Sequence, residues 1–308
     1  MEFIEFCEKI KESVCAYLGE ETQGEIRQIV KNNGVRLNGL LLNREADSVS
    51  PTIYLEGFYR EYKEGKTFGK LVREIAEVYE KNRITDKSLC FDFFTQYEAV
   101  RGRIFHKVVN YEKNRESLHN IPHIRFLDLA LVCYYAYMND ILGQGSIQID
   151  IGHLDQWGIT EEALFSDAWE NTTHKLGVEV RRMDDLLEEL LRERMDGMSE
   201  EEVSALLARQ QKPLIPMYIM SVRGSCFGAA CLYHKEWLAE FADRCGKNLY
   251  ILPSSIHELI LIPDSNMEEP ESLKRMVREV NAEHVETQEQ LSDQVYYFDR
   301  GNKVLSIV

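Results

Sequence analysis

Phe126-Leu127-Asp128-Leu129-Ala130-Leu131-Val132-Cys133-Tyr134-Tyr135-Ala136-Tyr137 is the stretch on which the fold turns. Odd and even positions are both apolar, so neither face is left for solvent. A strand of that kind sits in the middle of a sheet. Asp128 is the exception, because a carboxylate inside such a strand must be paired or carry a raised pKa. On this reading Asp128 shares a face with Ala130, Val132 and Tyr134. It then takes hydrogen bonds from backbone N–H groups or from a nearby Arg, His or Ser; the alternative makes it a general base.

Downstream, Gly143 and Gly145 make a turn, and Ile147, Ile149 and Ile151 alternate with Gln148 and Asp150 as a second strand. Thr160 with Glu161 and Glu162 then opens a helix that runs to about His174, through cap and macrodipole. A second ββα unit is expected from Ile215 to Val222, Cys226 to Leu232 and Lys235 to Cys245. Strands from Asn248 to Leu252 and Glu258 to Ile262, a helix from Glu271 to Val285 and a hairpin over Arg300-Gly301-Asn302 complete the chain. Between the two units a helical insertion spans about 179–211. One stripe carries Met183, Leu186, Leu187, Leu190 and Leu191, and a Ser199/Glu202 capping box opens a second helix. Upstream, Arg103 to Tyr111 has β-rich composition.

Residues 1–101 read as a mainly helical region with a short β ribbon. Phe3, Phe6, Ile10, Val14, Tyr17 and Leu18 repeat at helical spacing. A short helix is expected to stop at Asn33-Gly34, and a strand pair from Val35 to Leu42 to break at Asn38-Gly39. Leu71, Val72, Ile75, Val78 and Tyr79 mark a helix capped by Thr67. The class is α+β: a helical N-terminal part, then residues 102–308 as a mainly antiparallel sheet with helices on one face and the helical hairpin inserted.

The chain has 308 residues, 44% apolar and 29% charged, enough to bury a core without disulfide or metal staples. Fifteen Tyr and thirteen Phe argue against disorder. The opening Met1-Glu2-Phe3-Ile4-Glu5-Phe6 is acidic where a signal peptide needs a basic start. The seven scattered cysteines fit reduced thiols in a cytosol. Net charge is −16, with a run of net −7 from Asp184 to Glu202 and one of net −6 from Asp264 to Asp293. Such a field repels nucleic-acid phosphates and favours basic partners. Solvated helix faces are the simpler account of it.

No cofactor is expected. Cys226-x4-Cys231-x2-His234 has zinc-ligand types, but an offset of five along a strand puts the thiols on opposite faces. His119-x3-His123 spans Pro122 and has no carboxylate or Cys beside it. Gly224-Ser225-Cys226-Phe227-Gly228 has the wrong spacing for a nucleophile elbow. Leu252-Pro253-Ser254-Ser255-Ile256-His257-Glu258 is the densest polar cluster between two apolar strands. Ser254, His257 and Asp128 are the weak catalytic candidates, and a turn whose hydroxyls satisfy backbone groups is the simpler reading. His153 and Trp157, where a strand gives way to a helix, join Ser255 and Glu258 as candidates for ligand or partner contact. Capping and packing explain the first pair equally well.

Pro51-Thr52-Ile53-Tyr54-Leu55, Phe126-Leu127-Asp128-Leu129-Ala130, His153-Leu154-Asp155-Gln156-Trp157-Gly158, Tyr250 to Glu258, Val277-Arg278-Glu279-Val280-Asn281 and Leu291-Ser292-Asp293-Gln294-Val295-Tyr296 occur in this order. The series resembles the family named domain of unknown function 5688, found in anaerobic gut Firmicutes. After about Gly102 the layout is also similar to the domain of unknown function 1444 family. The resemblance implies a bacterial cytoplasmic setting and offers no activity to carry over. Two functions compete. One is a non-catalytic binding or regulatory protein that meets a basic protein partner on an acidic surface, without nucleic acid or membrane. The other is an enzyme, perhaps a hydrolase, working at Ser254, His257 and Asp128.

Overall fold

The computed structural model describes residues 1–45, 47, 50–83, 96–139, 143–194, 216–223, 227–253, 255–265 and 269–308. The architecture is α+β, with antiparallel sheets throughout the pairings that define it. Two compact units are present. The first holds residues 1–105, 119–122 and 134–168; the second holds 106–118, 123–133 and 169–308.

In the first unit, α1 (Phe3–Leu18), α2 (Leu55–Lys63) and α3 (Phe68–Asn82) accompany a sheet ordered β1-β2-β3. The strands are β1 (Gln23–Val30), β2 (Arg36–Asn43) and β3 (Thr52–Tyr54). Helices and a three-stranded sheet thus share the described part of this region. Asn33 and Gly34 have φ of 60° and 70° and turn β1 into β2, so the left-handed pair read as a helix stop is a hairpin turn. Asn38-Gly39 does not break β2. Gly39 is there because a Cβ would overlap Thr52 Cγ2, so only glycine lets β3 pair alongside. Phe6, Ile10 and Val14 of α1 bury against Leu71, Ile75 and Tyr79 of α3 and Leu40 and Leu42 of β2. Tyr79 donates its hydroxyl to Asp47, whose side chain is fully buried and also paired with Arg83 at 2.9 Å.

The apolar stretch divides into a hairpin. β5 (His123–Phe126) and β6 (Leu129–Asn139) pair from Phe126↔Leu129 outward, so Leu127 and Asp128 are the turn. Asp128 is thus a half-buried turn residue, not a strand residue facing Ala130 and Val132. The interior position holds for β6 itself: Leu129 to Cys133 are at most 1% exposed. That part lies between β5 and β4 (Ile104–Asn110). From Tyr134 onward β6 pairs with β7 (Gly143–Gln148). Ile151 belongs not to β7 but to α6 (Ile151–Trp157), which α7 (Glu161–Asn171) follows. Short helices α4 (Tyr97–Val100) and α5 (Arg115–Leu118) flank β4.

The second unit is built on a six-stranded antiparallel sheet ordered β13-β12-β10-β11-β9-β8. The strands are β8 (Val178–Arg182), β9 (Tyr218–Val222), β10 (Leu249–Leu252), β11 (Leu259–Pro263), β12 (Tyr296–Asp299) and β13 (Val304–Ile307). The insertion expected to be helical from Glu179 begins instead as the edge strand β8, and α8 (Met183–Arg194) follows. Its second helix, with Ser199 and Glu202, lies outside the described residues. The expected strand up to Leu232 is a 3-10 turn, Gly228–Leu232. A Cβ at Gly228 would overlap Ser221 Oγ and the His257 carbonyl oxygen, so the chain passes too close to β9 for a side chain. The opposite-face argument for Cys226 and Cys231 therefore falls away; Cys231 is a buried thiol in that turn. α9 (Lys235–Cys245) and α10 (Pro270–Glu283) complete the unit, α10 burying Leu273 and Val277 against Tyr250, Leu252 and Ile262.

Candidate functional site

Leu127 holds φ at 52°, a left-handed conformation that costs a bulky residue roughly 1–3 kcal/mol and persists only where neighbours impose it. Asp128 supplies that constraint. Its carbonyl accepts the Tyr111 N–H at 3.0 Å, and its carboxylate accepts Ser292 Oγ at 2.5 Å and the Tyr296 hydroxyl at 2.7 Å. Ser292 and Tyr296 are 1% and 0% exposed, so both donors are removed from water. Burial first, then the Asp128 charge, pushes the Tyr296 hydroxyl well above its ordinary value and keeps it a donor.

The segment that presents Ser292 is fastened along its length. The Glu289 carbonyl accepts Ile256 N–H at 2.9 Å, and the Leu291 carbonyl accepts Asn110 Nδ2 at 3.1 Å. Asn281, near the end of α10, donates to the Ser292 carbonyl at 2.9 Å and to Asp293 at 2.8 Å. Gln290 donates to the Asn281 and Val285 carbonyls. Asn110 and Asn281 are 8% and 3% exposed, so each bond replaces water that cannot reach the site. Four of the six quoted stretches, those holding Asp128, Ile256, Asn281 and Ser292, meet at this segment.

His257 follows Ile256, which bonds to that segment, but has other partners. Its Nε2 is 3.7 Å from Glu289 Oε1, its ring stacks on Phe227, and its carbonyl accepts Ser221 Oγ at 3.0 Å. Ser255 Oγ accepts the His257 N–H at 3.0 Å, a hydroxyl spent on a turn. Glu258 is half-buried just before β11. Ser254 lies outside the described residues. Among the described residues no hydrogen bond or ion pair joins Asp128 to His257; Asp128 is engaged by Ser292 and Tyr296, His257 by Glu289, Phe227 and Ser221.

His153 and Trp157 sit on α6, in the first unit. His153 and Asp150 form a capping box: Asp150 Oδ1 accepts His153 N–H, and His153 Nδ1 accepts Asp150 N–H, both at 3.1 Å. Trp157 is 9% exposed and packs on His153 and Tyr97. His153 is half-buried and Trp157 buried, while Ile151, Gly152, Asp155 and Gln156 are the exposed residues of this helix.

A cluster the sequence gave no hint of surrounds His234. Its ring lies between Trp169 at 4.3 Å and Trp237 at 4.4 Å, both stacked, with Tyr233 and His106 at 6.3 and 5.9 Å. Tyr233 in turn meets Phe126. His234 is 1% exposed, and burial lowers its pKa to about 4, so it is neutral at pH 7. Its Nε2 has no hydrogen-bond partner among the described residues. His234 was weighed only as a zinc ligand with Cys226 and Cys231, and its ring partners come from α7 and α9.

Among the described residues no group of three His, Cys, Asp or Glu is placed to hold a metal, and no helix is long and apolar enough to cross a membrane. Neither a curated protein nor a solved structure matches the chain. The model of a family of unknown function, DUF5688, matches it over residues 3–300 of 308. The chain belongs to the DUF5688 family.

Proposed function

We propose that this chain is a non-catalytic binding protein that meets a basic protein partner through the acidic α6–α7 face of its first unit. One observation carries the reading. From Asp150 to Glu170 there are six carboxylates and neither Lys nor Arg. Asp150 is used by the cap and Asp167 by Arg101 and Tyr97, which leaves Asp155, Glu161, Glu162 and Glu170 exposed, and Ile151 at the start of α6 is 37% exposed. The run on α8 differs: Asp184, Glu188 and Glu189 pair with Arg182, Arg192 and Arg181. On α10 the exposed acids alternate with Lys274, Arg275 and Arg278. An acidic run without basic residues attracts a cationic partner over a Debye length, and an exposed apolar side chain such as Ile151 gives it something to bury. A bacterial cytoplasmic setting fits this reading, and the separate partners of Asp128 and His257 remove support from the hydrolase alternative.

Calorimetric titration with a lysine-rich peptide tests it. The triple variant Asp155→Lys/Glu161→Lys/Glu162→Lys should lose binding, while Glu279→Lys/Glu283→Lys on α10 should keep it. Equal losses in both variants would make the effect one of net charge and sink the proposal.

A further inference from the structure

One end of the six-stranded sheet carries a polar cleft of about 510 Å³ that the acidic face does not involve. Its walls are three connections: the α9–β10 turn with Gly246, Lys247 and Asn248, Asp264 after β11, and Arg300-Gly301 in the β12–β13 turn. Strand register brings these together, since Leu249 at the start of β10 pairs with Pro263 at the end of β11 and Phe298 near the end of β12.

Asn248 locks the walls. Its carbonyl accepts Asp264 N–H at 2.8 Å, its Oδ1 accepts Arg300 N–H at 3.0 Å, and its Nδ2 donates to the Tyr297 hydroxyl at 2.7 Å. That hydroxyl donates to Asp264 Oδ2 at 2.8 Å, which leaves a single direction for the chain of bonds. Arg300 spends Nε on Asp243 at 2.7 Å. Its two Nη groups and Lys247 Nζ have no acidic partner among the described residues, although the chain carries a net charge of −16. The cleft is thus preorganised, with the two Arg300 Nη groups and Lys247 Nζ left for a ligand.

Charge decides the ligand class. Lys247 and Arg300 call for an anionic group. Asp243 and Asp264 on the same wall disfavour a second negative charge and call for a cation or hydroxyl donors. No apolar side chain lines the cleft, so an apolar ligand has nothing to bury against. We infer that this cleft binds a small zwitterion of the amino-acid class, its carboxylate toward Lys247 and Arg300 and its ammonium toward Asp243 and Asp264. With little apolar burial the affinity is modest, on the order of millimolar.

Amide NMR titration of the full chain with glycine, L-asparagine and L-glutamate, each against acetate, methylammonium and inorganic phosphate, tests this. The expected result is saturable shifts at Gly246, Lys247 and Gly301 with an amino acid, at least tenfold tighter than with acetate or methylammonium. Lys247→Ala/Arg300→Gln should abolish them. The Arg300 N–H to Asn248 is a main-chain donor and survives the change, so unchanged shifts elsewhere in the spectrum report an intact fold. Should that spectrum collapse, Lys247→Ala alone serves, with at least a fivefold loss expected. No saturable shift with any amino acid would overturn the inference. So would tighter binding of phosphate or acetate, or binding that survives the substitutions.

Discussion

Lowering the pH from 8 to 5 should destabilise the protein partly through one residue, His234. Its imidazole is held between Trp169 and Trp237, 1% exposed, and burial takes its pKa from 6.5 to about 4. The lowered pKa means that the fold holds the neutral form. As pH falls below 6.5 the unfolded chain takes up the proton while the folded chain does not until about 4. Stability from this site is therefore complete above 6.5, drains away between 6.5 and 4, and changes no further below that. The slope approaches about 1.4 kcal/mol per pH unit, which makes the loss at pH 5 about 2 kcal/mol relative to pH 8. Urea denaturation of the parent and of His234→Phe at pH 8, 6.5 and 5 isolates the term, because carboxylate contributions are common to both. The parent should lose about 2 kcal/mol more than the variant over that range. Parallel pH profiles, or an imidazole that titrates near 6.5 by NMR, would refute the reasoning.

Asp128→Ala should lower stability by about 1–3 kcal/mol, since two buried hydroxyl donors lose their acceptor, and Asp128→Asn by less; a variant as stable as the parent would reopen a catalytic role. Gly228→Ala should cost roughly 3 kcal/mol or more, because the His257 carbonyl and the Val222 main-chain nitrogen stand in the way besides the Ser221 hydroxyl; a melting temperature within a degree of the parent's would contradict the close approach. Tyr79→Phe should cost about 1–3 kcal/mol by stranding the buried Asp47 carboxylate on Arg83 alone, read by chemical denaturation. An unchanged midpoint would show that water reaches Asp47.

The class and most strand positions were legible because they rest on local pattern. β6 is apolar on both faces, and α9 and α10 repeat with helical period. The errors share a cause. Leu127-Asp128 contains no Gly or Asn-Gly, so nothing marked a two-residue turn, and the residue that stabilises it, Ser292, is 164 positions away. Asn33-Gly34 was read as a stop or turn signal ending a short helix, but helix stops and hairpin turns use the same left-handed backbone, and Ile26 and Ile29, three apart in Gln23 to Val30, mimic a helical spacing. The turn around Gly228 replaces an expected strand because its shape follows from the close approach of Ser221 and His257, a tertiary constraint. For the candidate site, Ser255 was visible as a turn hydroxyl. The Trp169–His234–Trp237 stack was not, since it joins two helices distant in sequence.

Hydrogen-exchange mass spectrometry of the full chain with and without a lysine-rich peptide tests the binding reading most directly, because it maps where the partner sits. The account predicts slowed exchange across residues 151–168, weakening as salt rises. Protection on α8 or α10 with none on 151–168, or no protection anywhere at low salt, would contradict it.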